Sequence, residues 1–157
     1  MLKSTGRLIL CLLLCLGVGI LGSLLTKPEI AGWYATLAKP SWTPPPFVFP
    51  IAWTSLYILM AVALWRLWDR AALSAARASA ITWFMIQLAL NAVWSPVFFA
   101  WHGIRTGLAI IVALLVAIVL TILASSRADK IAMWLLVPYL AWVTYATTIN
   151  AGVVALN

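Results

Sequence analysis

The stretch from Ile81 to Phe99, ITWFMIQLALNAVWSPVFF, decides the fold. It lies inside a run from residue 78 to residue 104 that contains no charged side chain. A hydrocarbon core about 30 Å thick takes roughly 20 apolar residues of helix to cross, so the run reads as a membrane span. Lipid offers the backbone no hydrogen bonds, and the period-two alternation of a barrel strand is missing, which leaves the α-helix. Working outward, the runs 8–26, 40–65, 106–126 and 131–157 are also uncharged and long enough to cross. The expected architecture is an all-α membrane protein, one domain over 1–157. Its five transmembrane helices lie near 8–25, 47–67, 80–101, 106–124 and 131–155, with a structured first loop, 26–46, as a lid.

Composition excludes the alternative. With 66% hydrophobic and 8% charged residues and a mean hydropathy of +1.10, the chain is far from the makeup of a soluble domain. A net charge of +7 would suggest a nucleic-acid partner in a soluble protein, but here the basic residues are scattered singly between apolar blocks, so none is expected. They read as topology signals. Lys3, Arg7, Arg66, Arg70, Arg77, Arg127 and Lys130 fall on one side of the bilayer, and Lys27, Lys39 and Arg105 on the other. The positive-inside rule then places the N-terminus in the cytoplasm and Asn157 outside, as suits a multi-pass protein of a bacterial inner membrane.

Lys3 and Arg7 ahead of Leu8–Leu21 also resemble the start of a secretory signal, but no small-x-small cleavage site follows, and the block is read as the first span. Cys11 and Cys15, four apart on one helix face, read as small packing residues, because no His or third Cys is near to complete a metal site.

Glu29, Asp69 and Asp129, the three acids, all fall in expected loops, so no carboxylate stands at mid-membrane to couple transport to an ion. His102 reads as an interfacial histidine. Nucleophile triads, phosphate-cradling glycine loops and zinc spacings are absent, which leaves no catalytic residue, no metal site and no obligatory cofactor. What remains is uncharged polar and aromatic. Trp83, Gln87, Asn91 and Trp94 recur at spacings of four, four and three and share one helix face, which points inward. Gln87 and Asn91 need partners in hydrocarbon, either another helix as interhelical glue or a ligand.

Pro96 removes the hydrogen bond to Ala92 and Pro138 the one to Trp134, so kinks are expected in the third and fifth helices, opening space between them. Tyr139, Trp142, Ala146 and Asn150 lie close to one face of the fifth helix, and Trp53 and Tyr57 are four apart on the second. A cavity walled by these rings suits a flat, largely apolar ligand. Trp65, Trp68, Trp101 and Trp134 lie near helix ends and read as interfacial anchors. Small residues form stripes at Ala109, Ala113, Ala117, Thr121 and Ser125 and at Cys15, Gly19 and Ser23, which permit close helix approach within or between chains. The first loop carries Pro44–Pro46, which favour an extended polyproline segment, and Trp33, Tyr34 and Trp42, which need cover.

Three segments, WYATLAKPSWTPPPFVFPIAWTSLYILM, QLALNAVWSPVFF and VPYLAWVTYATTIN, in this order across five helices, closely resemble the TspO family of tryptophan-rich sensory and translocator proteins. The resemblance runs from about Lys27 to Asn157, and its specific parts are W-x-P-x-F-F and P-Y-L-A-W. It implies a compact bundle, often a homodimer, whose pocket under the first loop binds porphyrins such as protoporphyrin IX and benzodiazepine-type ligands. By that likeness Trp53, Asn91, Trp94, Trp142 and Ala146 match pocket positions, with Trp42 in the covering loop, and the faces add Tyr57, Gln87 and Tyr139. The implied function is to sense, sequester or transport tetrapyrroles. Alternatives are light- and oxygen-dependent porphyrin degradation, for which Trp53 and Trp142 would be the oxidisable groups, and a regulatory or assembly role through a membrane partner. The cholesterol motif of the animal relatives is not retained, because Ala151 and Ala155 stand where its tyrosine and basic residue belong.

Overall fold

The computed structural model describes residues 3–157. Helix α1 spans Ser4–Ile30, α2 is the short Trp33–Thr36, and α3 runs Val48–Trp65 and continues as a π-helical turn, Arg66–Arg70. Helix α4 runs Ala75–Ser95 and continues as a second π-helical turn, Pro96–Ala100; α5 is Ile104–Ala128 and α6 is Lys130–Leu156. All but α2 are long and apolar enough to cross a membrane. No strand occurs among the described residues.

The spanning helices outrun the expected boundaries. Helix α1 begins ahead of residue 8 and passes through Pro28 to Ile30, so the lid starts at residue 31 rather than 26. Hydropathy reports the hydrocarbon layer, whereas a helix keeps its internal hydrogen bonds on through the headgroups. Around the bundle the neighbours are α1 with α3, α3 with α6, α6 with α5, α5 with α4 and α4 with α1, which closes a ring. Helices α3 and α4 thus face each other across the middle. The core between them is built on Met60, Phe84, Leu136, Tyr139 and Val143, all fully buried.

The two prolines act differently from one another. Pro96 turns α4 from α- to π-helical winding, and the Trp101 N–H donates to the Pro96 carbonyl five residues back at 3.0 Å. Pro138 sits inside an uninterrupted α6. The small stripe of α5 divides: Ala117, Thr121 and Ser125 are buried within the chain, while Ala109 and Ala113 face outward.

Each end of the bundle is tied. At the N-terminal end Arg7 Nη1 and Ser4 Oγ donate to Asp69 at 2.9 and 2.7 Å, and Arg66 grips Asp129 with two bonds of 3.2 and 2.9 Å. Asp129 also caps α6 by accepting from the Ala132 N–H at 2.9 Å. At the other end the first loop is pinned rather than floating. The Trp33 ring stacks on His102 at 4.1 Å, and His102 Nε2 lies 3.0 Å from Glu29 Oε2. Asn157 exchanges hydrogen bonds with the backbone of Ala38, and Pro40 is buried against Gly152, where a Cβ would stand 2.7 Å from the proline ring. Where a polyproline segment was expected, a turn closes from the Val48 N–H to the Pro45 carbonyl at 3.0 Å.

Candidate ligand-binding site

Three spanning helices deliver one polar chain to the middle of the bundle. Tyr57 of α3 donates its hydroxyl proton to Asn91 Oδ1 at 2.5 Å, and Asn91 Nδ2 of α4 donates to the Tyr139 hydroxyl at 2.9 Å. The Tyr139 hydroxyl of α6 then donates to Gln87 Oε1 at 2.8 Å. All four residues are buried. Every polar atom here has left water, so the sequence places amides where hydroxyls can answer them, one helical turn apart along α4. Gly19 of α1 makes the closure possible: a Cβ there would lie 2.6 Å from two carbons of the Tyr57 ring.

Aromatic rings cover this chain. Trp53 stacks on Tyr57 at 5.6 Å and meets Tyr139 and Trp142 edge-on at 6.3 and 6.4 Å. Trp142 in turn meets Phe49 and Tyr145, both at 5.9 Å. The rings touch one another where the sequence suggested a hollow, so the upper interior is closed by ring-to-ring contact. The open volume that Trp142 and Tyr145 border lies to the side. It is a groove of about 470 Å³ between α3 and α6, lined by Ala52, Leu56, Leu59, Pro138, Trp142 and Tyr145.

Two donors in this layer are left over. Trp142 Nε1 and Gln87 Nε2 are buried and have no hydrogen-bond partner. A buried N–H without an acceptor costs about 1–3 kcal/mol, which marks them as groups that an incoming acceptor would satisfy. Among the described residues the four ion pairs sit at the two ends of the bundle, away from this layer. Among the described residues no cluster of His, Cys, Asp or Glu could hold a metal ion.

Of the nine residues expected at the site, Trp53, Tyr57, Gln87, Asn91, Tyr139 and Trp142 come together. Ala146 is half-buried against the same core. Trp94 belongs to a neighbouring layer, where it stacks on Phe98 at 5.0 Å and points Nε1 at Asn150 Oδ1, 3.3 Å away. Trp42 does not join them: it is 52% exposed, and its carbonyl accepts from the Tyr145 hydroxyl. Trp83 stays part-exposed although it shares the helix face of Gln87. Phe49, Tyr145 and Gly19 complete the site and were not legible as members. Asn150 was legible only as part of the α6 face, and its partners, Trp94 and the Ile104 carbonyl, lie on other helices.

The sequence profile of the TspO/MBR family matches residues 11–156. The Tryptophan-rich protein TspO of Chlorobaculum tepidum is 42% identical over 159 residues, covering 99% of this chain and 98% of that one. The Tryptophan-rich sensory protein of Cereibacter sphaeroides is 40% identical over 136 residues, with 87% and 82% covered. The Translocator protein of Homo sapiens is 36% identical over 132 residues, with 82% and 77% covered.

Proposed function

This chain belongs to the TspO/MBR family and is a multi-pass membrane protein of sensory or translocator type, and from that premise we propose that it binds a flat, largely apolar tetrapyrrole such as protoporphyrin IX. The ligand lies at the Trp53–Trp142 layer, and binding serves to sense, sequester or move it. Benzodiazepine-type ligands share the site. The cationic end of the bundle faces the cytoplasm of a bacterial cell, and the first loop faces away from it.

One observation carries this reading: two indoles crossed at 86°, of which Trp142 borders a lateral groove and has a buried N–H without an acceptor. A flat ring that slides between such rings exchanges aromatic edges for aromatic faces, and its nitrogen or carboxylate acceptors answer the free donor. The test is a titration of the purified protein with protoporphyrin IX, read by quenching of tryptophan fluorescence. Trp53→Leu and Trp142→Leu are each expected to weaken binding about tenfold, the worth of about 1.4 kcal/mol of aromatic contact. Exposed Trp101 serves as the control, and Trp101→Phe is expected to bind as the parent does. The reading fails if both leucine variants titrate like the parent. Illumination of the complex separates binding from breakdown: porphyrin recovered intact supports a binding role, and loss that depends on Trp53 and Trp142 replaces it with degradation.

A further inference from the structure

A second groove lies away from the tryptophan layer, at the N-terminal end of the bundle between α1, α3 and α4. Its volume is about 680 Å³. Its walls are apolar, with Leu10 and Leu14 from α1, Leu64 from α3 and Ile81 and Met85 from α4, and its rim holds Arg77. From Arg77 to Met85 along α4 is about 12 Å, close to the depth of one leaflet of a hydrocarbon core about 30 Å thick. The groove therefore runs from headgroup level toward the bilayer centre.

The charge at its mouth is lopsided. Arg77 donates Nε and Nη2 to the Leu67 and Trp68 carbonyls, both at 2.7 Å, which fixes the guanidinium while leaving its charge uncompensated. Among the described residues no carboxylate pairs with it. Asp69, beside the groove residue Trp68, is already held by Ser4, Arg7 and Arg70. Arg7, 5.5 Å from the Trp68 ring centroid, is paired with Asp69, so Arg77 is the cation left for a ligand. An apolar slot one leaflet deep with a fixed, unpaired guanidinium at its mouth is complementary to a molecule with an acyl chain and a phosphate.

We propose that this groove is a binding site for an anionic phospholipid of the surrounding bilayer, with one acyl chain between α1 and α4 and the phosphate against Arg77. The site is separate from the tryptophan layer and does not depend on what binds there. The test is native mass spectrometry of the detergent-purified chain with chain-matched phosphatidylglycerol and phosphatidylcholine. The parent is expected to retain phosphatidylglycerol preferentially. Arg77→Gln is expected to cut that preference about fivefold, the effect of losing one interfacial cation. Because Arg77 also holds the end of α3, Arg77→Lys is the companion variant, and it is expected to keep the preference. Ala78→Trp fills the groove without altering charge and is expected to abolish retention of both lipids at this site. Equal retention of the two lipids by the parent, an unchanged preference in Arg77→Gln, or parent-like retention in Ala78→Trp would each overturn the proposal.

Discussion

Tyr139 ties the centre of the bundle with one oxygen that accepts from Asn91 and donates to Gln87. Removing that oxygen leaves Asn91 Nδ2 and Gln87 Oε1 buried without a partner, while Asn91 Oδ1 keeps its bond from Tyr57. Tyr139→Phe is therefore expected to lower stability by about 1–2 kcal/mol, measured as a shift in the unfolding midpoint in detergent or bicelles. Gln87→Met is expected to cost less, because Gln87 Nε2 is already unpartnered and its loss removes a buried unsatisfied donor along with the acceptor. A larger loss from Gln87→Met than from Tyr139→Phe would show that the amide, not the tyrosine, organises the chain. At this scale the sequence disclosed much. The four-residue spacing of Gln87 and Asn91 put both amides on one inward face, but whether they bond to protein or to ligand depended on hydroxyls from helices distant in sequence.

Among the spanning helices, α1 is the least buried, and it approaches α3 closely at Gly19. A Cβ there meets the Tyr57 ring at 2.6 Å, whereas one at Gly17 meets nothing within 4 Å. Gly19→Ala is expected to displace the Tyr57 ring, loosen its bond to Asn91 and cost about 1–3 kcal/mol. Gly17→Ala in the same helix is expected to be neutral or stabilising, by up to about 1 kcal/mol of helix propensity. Chemical or thermal unfolding of the two variants side by side checks the contrast, and equal effects would contradict the packing assigned to Tyr57. The stripe Cys15–Gly19–Ser23 was visible in the sequence as a run of small residues. Its middle member faces a tyrosine, and Ser23 faces outward, a distinction that spacing alone does not draw. Pro96 shows the same limit: its missing N–H was certain, yet the chain absorbed it by widening to a π-helical turn rather than by opening a hollow between helices.

The whole molecule is closed at its N-terminal end by carboxylates that bridge distant helices, and Asp129 is the clearest case. Partial burial works to raise its carboxyl pKa, but bonds from Arg66 and the Ala132 N–H together hold it below the usual range. A depressed folded pKa contributes stability at every pH above the unfolded value of about 3.9 and loses it as pH falls through the lower folded value. The thermal midpoint is thus expected to stay flat from this source between pH 7 and pH 5 and to decline on the acid side of about 4. Asp129→Asn is expected to be less stable at pH 7 and to show a shallower acid decline, and a decline as steep as the parent's would remove Asp129 as its cause. The sequence by itself determined five spanning helices, their order and the inward faces of α3, α4 and α6, because the bilayer forces backbone satisfaction within each segment and makes every charge a boundary marker. Only the tertiary structure decided that the helices close in a ring, that Tyr57, Asn91, Tyr139 and Gln87 bond to one another, that Trp42 turns outward and that the open volumes lie at the sides. Those outcomes depend on which side chains meet across helices far apart in the chain, and helical periodicity fixes the direction a side chain takes but not the partner it finds.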